Sequence, residues 1–267
     1  MGRGTTVAFH SYKGGTGKTT LISNLAALYA ASGSRVCLLD FDLYAPSLMS
    51  YFKKIPTAYV NDLLNGEVDI SRILVDVSAE LELKGKLLLG FSSNKKEDVN
   101  AIEIKHELKW QLTAMRRFLS AKNQLFEQYG IEHLFLDTSP GIRYWSINAL
   151  AAADNLFLVM KDSDMDIEGT MRMINDIYDS LVKFGSKFFV VLNKVPGASP
   201  IIENRFGADD TASIADFEKQ IKSRVVGSIP CFCDVQFSKH EFLWAVKQPE
   251  HPFSKKLIEV AEAIRNL

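Results

Sequence analysis

SYKGGTGKTT, Ser11 to Thr20, is a glycine-rich run of the phosphate-binding kind that departs from the general pattern at one place. The pattern asks for a glycine five positions before Gly17. Tyr12 stands there, and directly after it comes Lys13, a second lysine five residues ahead of the usual one, Lys18. Such a run means little unless it joins a strand to a helix. Here Thr5 to Ser11 (TTVAFHS) is β-rich and mostly apolar. Lys18 to Ala31 places Leu21, Leu25 and Leu28 at i, i+4 and i+7, with Gly33 as the stop signal.

Gly14, Gly15 and Gly17 free successive backbone N–H groups to point at a phosphate, and the helix start behind them adds partial positive charge. Lys18 is expected to reach the β- and γ-phosphates and the Thr19 hydroxyl to ligate Mg²⁺. Thr16 and Thr20 complete the run.

With 267 residues, a net charge of −1 and 47% apolar residues, the chain has the frame of a soluble protein, expected as one domain over 1–267. No apolar run is long enough to span a bilayer, and the start of the chain carries no signal-peptide core. Three cysteines, Cys37, Cys231 and Cys233, make no disulfide framework, which suggests a reducing compartment with cytoplasm as the expected location. Near-neutral charge gives no global case for nucleic acid, so any such binding must be local.

Further along, short apolar runs alternate with helical patterns. Candidate strands are Arg35–Asp40, Lys86–Phe91, His133–Asp137, Leu156–Met160, Lys187–Asn193 and Val225–Ile229. Continuous rather than alternating apolar residues mean burial on both faces, which predicts an α/β fold with a mainly parallel, twisted sheet covered by helices on both sides. Ser92–Asn100 and Pro196–Ala212 read as mobile loops.

Ligands of such sheets collect at the carboxyl ends of strands. Three ends stand out: Asp40-Phe41-Asp42, Asp137-Thr138-Ser139-Pro140-Gly141 and Asn193-Lys194. Each alone reads equally well as a turn; together, beside a phosphate loop, they read as a site.

KGGTGKTT, DFDLYAPS, DTSPG and VLNK in this order resemble the deviant phosphate-loop ATPases of the ParA/MinD superfamily, whose loop reads KGGxGKT[ST], and the likeness spans most of the chain. The resemblance implies ATP and Mg²⁺ as cofactors and a homodimer with ATP sandwiched between subunits. It implies that Lys13 reaches across the dimer to the partner's nucleotide, and that Asp42 orients the attacking water. Asp40 would be the neighbouring acid near Mg²⁺, and Asp137 the Walker B acid. Asn193 would hydrogen-bond the adenine edge, and Ile229-Pro230 would begin the loop flanking the base. Two lysines facing two phosphate tails offset a repulsion that would otherwise keep the subunits apart.

The core alone does not say what such a switch moves, or which protein activates it. A membrane-cycling member would carry a basic amphipathic helix after the last core helix; Phe253–Leu267 reads instead as a core-packing helix with Leu257, Ala261 and Ile264 in register. Cys231-Phe232-Cys233 keeps an iron-sulfur or nickel carrier and maturation ATPase as the alternative, since two subunits could supply four thiolates; small buried cysteines explain it as well. In the helix expected over about Ile104–Gln128, Leu108, Leu112, Met115 and Leu119 make one apolar stripe. Lys105, Lys109 and Arg116 fall together on a neighbouring face, which could bind DNA phosphates without reading sequence. A solvated charged face accounts for it equally.

Overall fold

The computed structural model describes residues 4–104, 108–178, 181, 185–196, 217–219 and 221–267. One eight-stranded sheet runs in the order β3-β4-β2-β5-β1-β6-β7-β8. Its strands are β1 (Thr5–His10), β2 (Arg35–Phe41), β3 (Val75–Asp76), β4 (Lys86–Gly90), β5 (His133–Thr138), β6 (Asn155–Met160), β7 (Lys187–Val195) and β8 (Arg224–Pro230). All neighbours pair in parallel except β3, which lies antiparallel on β4. The apolar runs are continuous because successive residues feed opposite faces. Val7 and Phe9 enter one core and Ala8 the other; Leu38 and Leu39 divide in the same way.

One face is covered by α1 (Lys18–Ala31) and α11 (Pro252–Arg265), which contribute Leu21, Leu25, Leu257 and Ala261 to the core that holds Phe9. The other is covered by α3 (Val60–Asn65), α6 (Leu108–Glu127) and α7 (Tyr144–Ala151), through Leu64, Phe118 and Leu150. The last helix packs as its spacing predicts, with Leu257, Ala261 and Ile264 all buried.

Two expectations are corrected, and a third falls largely outside the described residues. Ser92–Asn100 is not a mobile loop: Ser92 and Ser93 are buried, Ser92 Oγ donates to the Asp40 carbonyl, and helix α5 begins at Lys96 (Lys96–Ile104). Pro196 leads into residues outside the described set, as does the rest of that predicted loop up to Ala212. The helix expected from Ile104 is in fact α6, and its leucine stripe is not what seats it. Ala114, Phe118, Ala121 and Leu125 pack on the sheet, whereas Leu108, Leu112 and Leu119 are 67%, 50% and 39% exposed. Both stripes obey helical spacing, so periodicity cannot choose between them; the aromatic ring of Phe118 against Phe41, 4.5 Å between centroids, decides it.

Candidate functional site

The register of three central strands assembles the site. Asp40 on β2 stands opposite Asp137 on β5, and Asp137 stands opposite Phe9 on β1. The carboxyl ends of these strands therefore meet where β1 turns through Ser11–Gly17 into α1. Gly17 is the left-handed N-terminal cap of that helix (φ 91), and a Cβ there would fall 2.4 Å from Asn193 Nδ2. Glycine is thus required twice over, for the turn and for the approach of β7.

Side chains tie the loop to its surroundings. Lys18 Nζ donates to Ser11 Oγ (2.9 Å), and Ser11 Oγ donates to the Lys13 carbonyl (2.6 Å). Thr19 Oγ1 donates to Asp137 Oδ2 at 2.7 Å. Asp40 accepts the backbone N–H of Asp42 (2.9 Å), and Asp42 accepts that of Ala45 (3.0 Å), which turns the chain after β2 so that Asp42 faces the cavity. On the far side Asn193 Nδ2 donates to the Thr16 carbonyl (2.7 Å) and Lys194 Nζ to the Gly15 carbonyl (3.0 Å).

Charges here are held against their solvent preference. Burial lowers the Lys18 pKa, with Asp137 and then Asp42 acting to raise it. Burial raises Asp137 to about 6 against the opposing pull of Lys18 and Thr19. Asp40 is raised by burial, then by Asp137 and Asp42. His10, fully buried behind the loop with Nδ1 2.7 Å from Thr138 Oγ1, is lowered to about 3 by burial and by Lys18, and is neutral at ordinary pH.

The cavity above the loop measures about 420 Å³. Gly14, Gly15, Gly17, Lys18, Thr19, Thr20, Asp42 and Asn193 supply its polar lining, and Pro230, Phe232, Phe242 and Trp244 its apolar lining. A polyanion fits the first and a flat heterocycle the second. Asp137 Oδ1 has no hydrogen-bond partner among the described residues. A buried carboxylate oxygen left over beside the Thr19 hydroxyl suits a magnesium ion or its bound water. Asp40 and Asp137 lie behind the cavity wall, Thr16 is buried in the loop, and Lys13 is not among the lining residues.

The family model AAA_31, an AAA domain, matches residues 4–186. This chain belongs to that family, within the ParA/MinD superfamily of P-loop ATPases. The chromosome partitioning protein ParA of Caulobacter vibrioides is 27% identical over 175 residues, covering 64% of this chain and 61% of that protein. Cell division ATPase MinD of Pyrococcus furiosus superposes with a TM-score of 0.73 at 21% identity, over 100% of this chain and 99% of the other. The septum site-determining protein MinD of Pyrococcus horikoshii, complexed with Mg-ADP, gives 0.72 at 17% identity, over 97% and 95%.

Within the AAA_31 match lie the loop, Asp40, Asp42 and Asp137; Asn193 and Pro230 lie beyond it. Cys231 and Cys233 are both exposed, at the start of α9 (Cys233–Gln236), and no group of three or more metal-ligating side chains occurs among the described residues. Lys109 and Arg116 are exposed on α6 and do not line the cavity; Lys105 lies outside the described residues. No described helix is long and apolar enough to cross a membrane. Sequence reasoning missed Ser11, Phe242 and Trp244. The first was in plain view beside the loop; the aromatics sit in a segment with no periodic signal, and only folding brings them to the cavity.

Proposed function

We propose that the whole chain, 1–267, acts as one Mg-ATP-dependent switch that dimerises around two ATP molecules and hydrolyses them slowly, in a positioning or partitioning role in the cytoplasm. The observation that carries this reading is the division between the two lysines. Lys18 points into its own cavity, while Lys13, on the same loop, is absent from that cavity's walls. A cation placed beside a phosphate site but outside it is positioned for a second site brought against it.

In this reading the loop N–H groups and Lys18 hold the phosphates, and Thr19 and Asp137 hold Mg²⁺ directly or through water. The ion would offset charge between phosphate oxygens. Asp42, already aimed into the cavity by its turn, positions the attacking water, and Asp40 fixes that turn through the Asp42 N–H. Asn193 and Pro230 meet the base. Lys109 and Arg116, exposed on α6, would meet non-specific DNA, a role for which Lys105 stands on sequence spacing alone; a protein activator or cargo would act through the dimer.

Mixing tests the lysine division. Lys13→Ala and Asp42→Ala are each expected to bind ATP with little hydrolysis. In a mixed dimer the Asp42→Ala subunit donates its Lys13 to a partner whose own Asp42 is intact, so one site is complete and hydrolysis returns. Mixed dimers that form and restore nothing would sink the reading.

A further inference from the structure

Tyr12 replaces the glycine of the general loop pattern, and its ring is half-buried against α8 (Asp164–Met173). A Cβ on Gly169 would fall 2.0 Å from Tyr12 Cε1 and 2.1 Å from Cδ1. Gly169 lies inside the helix with no left-handed φ. Conformational freedom does not explain it, and an interior glycine weakens a helix relative to alanine, so its reason is packing. The missing side chain leaves a notch, and the tyrosine ring occupies it.

The same ring stands beside the second lysine. Lys13 Nζ lies 5.9 Å from its centroid, within cation–π range. The backbone on either side is anchored: Gly141 N–H donates to the Ser11 carbonyl (2.8 Å), and Ser11 Oγ donates to that of Lys13 (2.6 Å). With Ser11 and the Lys13 carbonyl fixed, seating the Tyr12 ring fixes the dihedrals between them and hence the direction of the Lys13 Cα–Cβ bond.

We propose that Tyr12, seated in the notch that Gly169 leaves in α8, is a positioning residue for Lys13, holding it ready to leave its own subunit. The inference rests on the reading of Lys13 as the lysine that acts across the dimer. A free lysine loses rotamer freedom when it is fixed at an interface; a pre-set stem and a ring under its ammonium reduce that loss.

The test is a double-mutant cycle on Tyr12 and Gly169, read by ATP affinity and by ATP-dependent dimerisation in sedimentation. Tyr12→Ala and Gly169→Ala are each expected to keep ATP affinity within about threefold of wild type while weakening dimerisation by about tenfold, the factor a lost contact of this class carries. Tyr12→Phe keeps the ring and stays like wild type. In the Tyr12→Ala background, Gly169→Ala adds nothing, because the ring it would displace is gone. Equal losses from Gly169→Ala in both backgrounds, or ATP affinity falling together with dimerisation, would overturn the proposal. Lys13→Ala separates the two readings. If it abolishes dimerisation while Tyr12→Ala does not, only the positioning role fails; if Lys13→Ala dimerises normally, the cross-subunit reading fails and this inference with it.

Discussion

Asp137 is a carboxylate that the fold buries at a cost, and Asp137→Asn measures that cost. Burial raises its pKa from 3.8 to about 6. A raised acid contributes stability that is fully present below pH 3.8 and lost as pH rises through about 6. Above that, the ionised group destabilises the nucleotide-free protein by up to about 3 kcal/mol. Asparagine keeps the shape and can still accept the Thr19 hydroxyl, now 2.7 Å from Asp137 Oδ2, though more weakly than a carboxylate. A net gain of about 1–3 kcal/mol at pH 8 is expected, or roughly 3–10 °C in Tm for a chain of this size. The assay is thermal unfolding with EDTA at pH 8 and pH 5, paired with titration calorimetry of Mg-ATP. The variant should be more stable than wild type at pH 8, less so at pH 5, and should lose most of its magnesium-dependent affinity. An unchanged or lower Tm at pH 8, or a gain that does not shrink on acidification, would refute the reasoning.

Lys18→Ala removes the loop's own lysine whose ammonium donates to Ser11 Oγ, and is expected to abolish ATP binding in calorimetry. Asp42→Ala should bind ATP and form a long-lived dimer in sedimentation while hydrolysis, followed by phosphate release, drops about 100-fold or more. On α6, Leu112→Ser at a half-exposed position should change stability by less than about 0.5 kcal/mol, whereas Phe118→Ala should cost about 3–5 kcal/mol in urea unfolding; the opposite order would restore the leucine stripe as the packed face.

The phosphate loop was legible in the sequence because its chemistry is local. Glycines, Lys18 and Thr19 must stand at fixed spacing between a strand and a helix, and nothing distant can substitute for that spacing. The parallel sheet was legible for a related reason: residues buried on both faces leave continuous apolar runs, and Val36 to Phe41 and Leu134 to Leu136 are buried throughout. What the sequence left undecided has no local signature. Two apolar stripes on α6 satisfy the same period, and only the shape of the sheet's face, with Phe41 waiting for Phe118, selects one. Phe242 and Trp244 join the cavity from near the far end of the chain, and the Asp40–Asp137 pairing depends on strand register across a long separation. Tyr12 looks like a flaw in a motif until α8 brings Gly169 against it. Contacts between residues far apart in the chain are set by which surfaces fit when all elements pack at once, and that fit is a property of the fold.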